Sequence, residues 1–554
     1  MTMTTIEGLC REHDLLTLGK DEIVRVPLLV KGTLRVPPVV GMERIQEAFS
    51  AKEKATGKPA NAVTTVRLED AQVLREPVVD RETMRWTDEF VYQVLPAFDP
   101  EELIERDLDR VVRELYNLPF EEVLAFLGKV SSALSACPEL LKEIEGVYRR
   151  TAMVADLYVD YSFTTLGYLL NPEAAREKVD SELASFEVQG SRFLDTWVKV
   201  SDTTVGGLSQ QLSPAKAKKT SGDYMSPEKM YLRAMPTRQL HLTAGNAPAI
   251  PIISTCRAIS LKSAAVIKSP YGATLGGALV SLAACAAAPD HPSARNLSIV
   301  YWPGGDERVE GVLFGPDAFD KIVVWGAPDA VASVKSRATF TKLVTLNPRY
   351  GMSWIGREAF DNDDFKEAAR RGAVDTMIWN QKACIASSVH YVEGDENQVT
   401  AYAQALQKEL AEWDRIAPNF LDPAAQGQIR RLRRGKLLNA QWMANKQNEG
   451  DKRNEGISSV VIVVKGEFDM MDHTLSRMVI VRPVNRLEDA LPYLNHSVST
   501  VGVFPESRRM EFCDRILARG VSTTYPLGMG DRMSTGMAHD GMKVYSELVD
   551  WKNR

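Results

Sequence analysis

At 554 residues and 61.5 kDa the chain is too long for one simple domain; at roughly 150 residues per unit, two or three packed domains are the working bound. Apolar residues at 44% and charged residues at 25% exclude a disordered or fibrous chain and supply large cores. With 67 Lys and Arg against 73 Asp and Glu, the net charge of −6 gives no long-range attraction for phosphate backbones or anionic lipid and argues against nucleic acid as the main partner.

In chain order, residues 1–100 combine short apolar runs with polar turns, carry no recognisable chemistry and read as an amino-terminal extension or edge element. Their start mixes Glu7, Arg11, Glu12 and Asp14 into polar sequence and lacks the basic and apolar blocks of a signal peptide. From 101 to about 188, apolar residues recur at helical spacing: Leu103, Leu108, Val111 and Leu115, then Val123, Phe126, Leu127, Val130 and Leu134. Asp99-Pro100 forms a helix start, and a helical layer is predicted. Residues 213–229 (SPAKAKKTSGDYMSPEK) read as an exposed linker.

Beyond the linker, short apolar strands at 239–243, 265–268, 297–301 and 322–325 alternate with helices at 252–263, 275–288 and near Asp306, which predicts a parallel α/β sheet. These strands end in Gly245-Asn246, Ser269-Pro270, Pro303-Gly304-Gly305 and Gly326, where such sheets bind ligands, by default a nucleotide. A second α/β stretch runs from 373 to about 547 and contains the basic segment 430–436 (RRLRRGK), read as a solvated helix face. The longest apolar run, 276–288, is shorter than the about 20 residues of a membrane span, so no membrane span and a cytoplasmic location are expected.

The six cysteines, Cys10, Cys137, Cys256, Cys285, Cys384 and Cys513, are scattered, with no CxxC and no zinc-ligand spacing, so all read as reduced thiols and no metal is expected. The most specific signal is distributed: HLTAGNAP at 241–248, Lys268-Ser269-Pro270, Val323-Val324-Trp325-Gly326, and WNQKACIAS at 379–387. Together these resemble the aldehyde dehydrogenase superfamily. The resemblance implies an oxyanion-binding Asn246, a ribose-contacting Lys268, a strand-end Gly326 beside the cofactor pyrophosphate and a nucleophilic Cys384. Val501-Gly502-Val503, Arg519-Gly520-Val521 and GMAHDG at 536–541 narrow it to the LuxC-type acyl-CoA reductases, over roughly residues 100 to 550.

The fold so implied is α/β, aldehyde dehydrogenase-like, with a Rossmann-type cofactor domain plus an α/β catalytic domain. The division expected is 1–100 extension, 101–375 dinucleotide-binding domain with helical layer, 376–545 catalytic domain and 546–554 tail. Cofactor contacts are expected from Thr243, Ala244, Gly245, Lys268, Ser269, Pro270, Gly305, Trp325, Gly326 and Ala327. The sequence departs from the superfamily pattern at Lys382, where a Gln usually precedes the nucleophile by two residues, and the motif's Asn and Gln stand displaced as Asn380 and Gln381.

Chemistry supports the same residues. A thioester is best attacked by a thiolate, and Cys384, close to Lys382 and followed by small residues, fits that need, whereas Cys256 and Cys285 sit in apolar helical patterns. A strand-end amide such as Asn246 can donate to a developing oxyanion, or simply shape a turn. Lys268 reads equally as a cofactor contact or a solvated strand end, and His539 as a proton shuttle or a hydrogen bonder within its loop.

Aldehyde-oxidising members of the superfamily activate water with a Glu at a place corresponding to about 342–356. No Asp or Glu occurs from Ala330 to Arg357, so an acyl-cysteine would persist until CoA or hydride reaches it. No acidic residue occurs from Lys268 to Cys285, with Tyr271 where NAD-preferring relatives carry a carboxylate, so NADPH should be tolerated, and the resemblance to the reductase family implies NADPH in preference to NADH. The expected activity is NADPH-dependent reduction of an acyl-CoA, fatty or aromatic, to the aldehyde. Rival readings are a cysteine acyltransferase or thioesterase, and a silent nucleotide-binding partner of an acyl-protein ligase. An acyl-protein ligase is a candidate partner, and a homo-oligomer is expected.

Overall fold

Parallel strands covered on both faces need near-continuous apolar sequence, and the strands Leu297–Tyr301 and Ser387–Glu393 are buried at every position. The computed structural model describes residues 5–19, 21–56, 63–202, 204–205, 225–226, 229–245, 247–326, 328–361, 363–447, 456–532 and 534–554. The 213–229 linker expectation falls almost wholly outside them.

Two seven-stranded sheets dominate. The first orders five parallel strands as Lys342–Leu346, Lys321–Trp325, Arg238–Leu242, Ala264–Ser269 and Leu297–Tyr301. From the central strand Arg238–Leu242 the chain winds first to one side and then to the other, so Leu242 pairs with both Lys268 and Val324. That reversal opens a crevice at the carboxyl ends of the strands. The second sheet runs Gln441–Gln447, Gly456–Val463, Met478–Val484, Ser387–Glu393, Tyr350–Ile355, Val498–Phe504 and Thr523–Pro526, all parallel except its first, antiparallel strand.

The predicted strands of the first sheet are present within about two residues, a normal scatter for element ends. The helical layer forms as well, and Val123, Phe126, Leu127, Val130 and Leu134 all face the core from the helix Phe120–Ser135. The earlier apolar series does not make one helix. It breaks into Pro100–Leu103, Leu108–Val111 and a π-turn Val112–Tyr116, leaving Leu108 about half exposed. Side chains cause the break: Glu105 accepts from the Asp107 amide and Asp107 caps the Arg110 amide, each at 2.9 Å. The basic segment ends the helix Pro423–Arg434, with Leu432 inward and the arginines outward, as a solvated face requires.

Residues 1–100 take the edge-element form rather than that of a detached extension: Leu28–Val30 and Thr33–Arg35 extend the first sheet beyond Leu297–Tyr301. A ribbon of Thr64–Arg67, Ala71–Asp80 and Arg85–Pro96 leans on the same strand end, through Thr65 to the Tyr301 hydroxyl at 2.6 Å and Gln72 donating to the Tyr301 carbonyl at 3.0 Å. The second sheet already includes Tyr350–Ile355, upstream of residue 376. The terminal residues 546–554 include a strand, Asp550–Asn553, which pairs with Met230–Met235 in a three-stranded antiparallel sheet completed by Val198–Ser201. The amino- and carboxyl-terminal placements were illegible because they rest on pairings between segments more than two hundred residues apart.

Among the described residues no single helix is long and apolar enough to cross a membrane. A chain beginning at residue 101 would expose the Leu297–Tyr301 edge and the apolar surface under the ribbon. It should aggregate on size-exclusion chromatography; a monodisperse product with unchanged thermal unfolding would show that residues 1–100 are dispensable to the fold.

Candidate active site

The first sheet presents its carboxyl-terminal strand ends to the amino-terminal ends of the second. Thr243 is fixed at the end of the central strand by its hydroxyl, which donates to the Lys268 carbonyl at 2.7 Å. Gly245 follows, and a Cβ on Gly272 would lie 2.5 Å from the Gly245 carbonyl oxygen, so the two turns meet at a distance only glycine permits. The Lys268 ammonium lies 5.6 Å from the Trp302 ring centroid, and burial lowers its pKa to about 8 against the opposing pull of Glu310. Gly305, at φ +79°, donates its amide to Glu310 at 3.1 Å.

The structure therefore brings Thr243, Ala244, Gly245, Lys268, Ser269, Pro270, Gly305, Trp325 and Gly326 to the ends of adjoining strands of one sheet. Asn246 and Ala327 lie outside the described residues. The donor set fits a dinucleotide. The Ser269 hydroxyl, the Trp325 indole nitrogen and Nη1 of Arg257 are buried without partners, and Gly304 and Gly305 leave open space above their Cα atoms. Lys268 and the strand-end groups would hold it.

Cys384 sits on a turn immediately before the strand Ser387–Glu393. Trp379, Asn380 and Gln381, the three residues entering that turn, all have left-handed backbone, with φ of 49°, 55° and 63°. They are held by specific partners. Arg477, fully buried, donates to the Asn380 side-chain oxygen at 2.6 Å while pairing with Asp414. Asn380 in turn donates to Asn419 at 2.9 Å. The Gln381 amide bonds both ways with the Met478 backbone, at 2.8 and 3.0 Å. Trp379 stacks on Tyr158 with ring centroids 5.9 Å apart. The turn itself is pinned to the neighbouring strand, where a Cβ on Gly351 would lie 2.4 Å from the Ile385 carbonyl oxygen.

The leading cation at Cys384 is Arg349 rather than the neighbouring Lys382. Lys382 is buried with its own pKa lowered, first by burial and also by Arg477, while Asp422 opposes the shift. Burial pushes Cys384 up to about 11, Asp540 adds to that, and the cation that pulls it back is Arg349. Arg349 and Cys384 are brought to one edge because Arg349 directly precedes the strand Tyr350–Ile355 and Cys384 lies in the turn leading into its parallel neighbour Ser387–Glu393. Arg349 Nε lies 3.4 Å from an Asp540 carboxylate oxygen, and its Nη2 donates to the Asp540 carbonyl at 3.3 Å. Sequence reasoning passed over Arg349, which stood inside the very acid-free stretch it singled out.

His539 belongs to the same turn. Its ring meets Trp325 edge-on at 5.6 Å, and Nδ1 lies 3.5 Å from Arg257 Nη2. Burial, with Arg257 next, lowers its pKa to about 3, so it is neutral near neutral pH. Arg257 is buried over Trp325, 4.9 Å from the ring centroid. Its place in an apolar helix gave no signal in the sequence. Glu358 follows the far end of Tyr350–Ile355, roughly 20 Å along the strand from Arg349 by strand rise, and is paired with Arg508 at 3.1 Å. It cannot serve Cys384 as a base. Cys256 and Cys285 are both raised to about 11, chiefly by burial within or beside helices.

The chain is similar to several known proteins. A family profile described as acyl-CoA reductase (LuxC) matches residues 221–551. The chain is 25% identical over 370 residues to a long-chain acyl-protein thioester reductase of Photorhabdus laumondii, covering 64% of this chain and 72% of the relative. It is 27% identical over 326 residues to the protein of the same name from Aliivibrio fischeri, covering 58% and 64%. Among solved structures, an indole-3-acetaldehyde dehydrogenase in complex with NAD+ superposes with a TM-score of 0.63 at 10% identity, covering 91% of this chain and 98% of that one. The NADP-dependent glyceraldehyde-3-phosphate dehydrogenase from Bacillus halodurans, complexed with NADP, gives 0.61 at 13% identity, covering 87% and 95%. These likenesses establish an aldehyde dehydrogenase-like fold.

Because the Cys384 thiol is held near 11, only its minor thiolate form reacts at neutral pH, and that form grows about tenfold per pH unit below the pKa. Alkylation of Cys384 by iodoacetamide, followed by peptide mass spectrometry, should keep rising from roughly pH 7 to 10. Arg349→Gln should slow it further by removing the neighbouring positive charge. A wild-type rate that levels off near about pH 6 would contradict this electrostatic account.

Proposed function

The chain belongs to the acyl-CoA reductase (LuxC) family, and from that premise we propose that it reduces an acyl-CoA thioester to the aldehyde with NADPH, through an acyl-cysteine on Cys384. One observation supports the reading: Cys384 lies at the edge closed by the 539–542 turn, where His539 packs on Trp325 at a strand end of the first sheet and the nearby Asp540 carboxylate is held by Arg349, while residues 330–357 supply no Asp or Glu.

The Cys384 sulfur bonds to the acyl carbon, the carbon–sulfur bond to CoA breaks, and CoA leaves as its thiol with the proton lost by Cys384. Arg349 favours the attacking thiolate, and Asn246 donates to the oxyanion of the tetrahedral intermediate. NADPH, when bound beside Lys268 and the strand-end groups, would supply a hydride to the acyl carbon. The thiohemiacetal oxyanion so formed expels Cys384 as its thiolate, releasing aldehyde, and a proton from solvent restores the thiol. His539, neutral at neutral pH, orients Trp325 and Arg257 and carries no proton in this scheme. NADPH is favoured over NADH because Tyr271 and the acid-free stretch from 268 to 285 present no carboxylate to a 2′-phosphate. The relatives are named for acyl-protein thioesters. The same attack serves a protein-bound acyl group, and assaying both thioesters decides which thiol leaves.

Without NADPH, acyl-CoA should leave a long-lived adduct on Cys384, visible by mass spectrometry. Added NADPH should discharge it to aldehyde and added CoA to thioester; rapid decay to free acid would favour a thioesterase. Cys384→Ala should abolish adduct and turnover. Asn246→Ala should lower turnover by roughly 10²–10³, and an unchanged rate would return Asn246 to a turn-forming role.

A further inference from the structure

The segment 537–545 brings His539 and Asp540 to the edge where Cys384 lies, yet little in its own sequence holds it there. Apart from the turn between His539 and Met542, closed by two backbone bonds of 2.9 Å, it has no regular structure before Val544, and Ala538, Gly541 and Lys543 are exposed. Asp540 and Gly541 both have left-handed backbone, at φ 53° and 78°.

Support comes from the helix Pro172–Glu182. The Lys178 ammonium donates to the Met537 carbonyl at 3.1 Å. Glu182, four residues on and so on the same helix face, pairs with Lys178 at 3.0 Å and accepts the Tyr545 amide at 2.7 Å. Glu182 is 3% exposed and ends its helix, where the helix dipole disfavours an anion and burial disfavours any charge. Lys178 and the Tyr545 amide offset both costs. The two side chains thus grip the segment at each end, and between the grips Asp540 lies on Arg349 at 3.4 Å while His539 packs on Trp325.

Resting on the reading of Cys384 as the reactive thiol, we infer that Lys178 and Glu182 are positioning residues of the active site, which hold Met537 and Tyr545 so that Asp540 stays on Arg349 beside Cys384. Asp540 raises the pKa of the thiol and Arg349 lowers it, the carboxylate having the larger effect. Releasing the segment should therefore make Cys384 easier to ionise.

Alkylation of Cys384 by iodoacetamide between roughly pH 7 and 10 reads this without turnover. Lys178→Met should raise the rate at pH 8 by about three- to tenfold, tenfold being one unit in the pKa of the thiol. Asp540→Asn should do the same, and the double variant should do no more, because both act through one contact. Lys178→Arg should restore most of the original profile. Arg176→Met, on the same helix but paired with Glu121 at the surface, should leave it unchanged. An unmoved profile in Lys178→Met overturns the inference, and so do additive effects in the double variant. Hydrogen exchange of the unsubstituted chain needs no variant: the His539 and Met542 amides should be protected together with that of Tyr545, and free exchange of the first two beside a protected Tyr545 overturns it as well. The expected shifts in a chain that reduces no thioester would refute the reductase reading and keep the positioning role; reduction with unshifted profiles would do the reverse.

Discussion

Arg477 is the cation on which the site is built. A fully buried guanidinium is tolerated only when charge and hydrogen bonds are satisfied, and here Asp414, the Ala417 carbonyl and the Asn380 side chain do so. Its bond to Asn380 holds the middle of three consecutive left-handed residues, each a conformation that costs a non-glycine residue of order 1–3 kcal/mol. Such a turn persists only where surrounding contacts over-determine it. Gln381 on the Met478 backbone and Trp379 on Tyr158 complete that hold and deliver Cys384 to the top of its strand.

Strand direction then decides which charges Cys384 meets. Parallel neighbours carry their leading residues to one edge, so Arg349 and the thiol converge while Glu358 is carried to the opposite edge and tied to Arg508. The turn at 539–542 closes the same edge, with Asp540 on Arg349 and His539 against Trp325. The thiol thus lies under opposing influences, the Arg349 cation lowering its pKa and the Asp540 carboxylate raising it, with that carboxylate itself held by Arg349.

Much of this was legible in the sequence. Apolar runs bounded by Gly and Pro located the strands of the first sheet, because parallel strands bury both faces. HLTAGNAP and WNQKACIAS marked the two edges that meet, since turns at strand ends need particular residues. Lys382 stood two residues from Cys384 in the sequence, but the leading cation at the thiol is Arg349, brought there by strand pairing rather than by nearness in the chain. Residues 1–100 carried no motif, yet their ribbon packs on Tyr301 across more than two hundred residues of chain.

The central claim is that hydride reaches an acyl group held on Cys384. Supplying NADPH with deuterium at its transferable position, together with acyl-CoA, and analysing the product by mass spectrometry tests it most directly. The account predicts an aldehyde bearing one deuterium at the carbonyl carbon, formed with equal consumption of NADPH and abolished in Cys384→Ala. Free carboxylic acid released with the NADPH intact would contradict it.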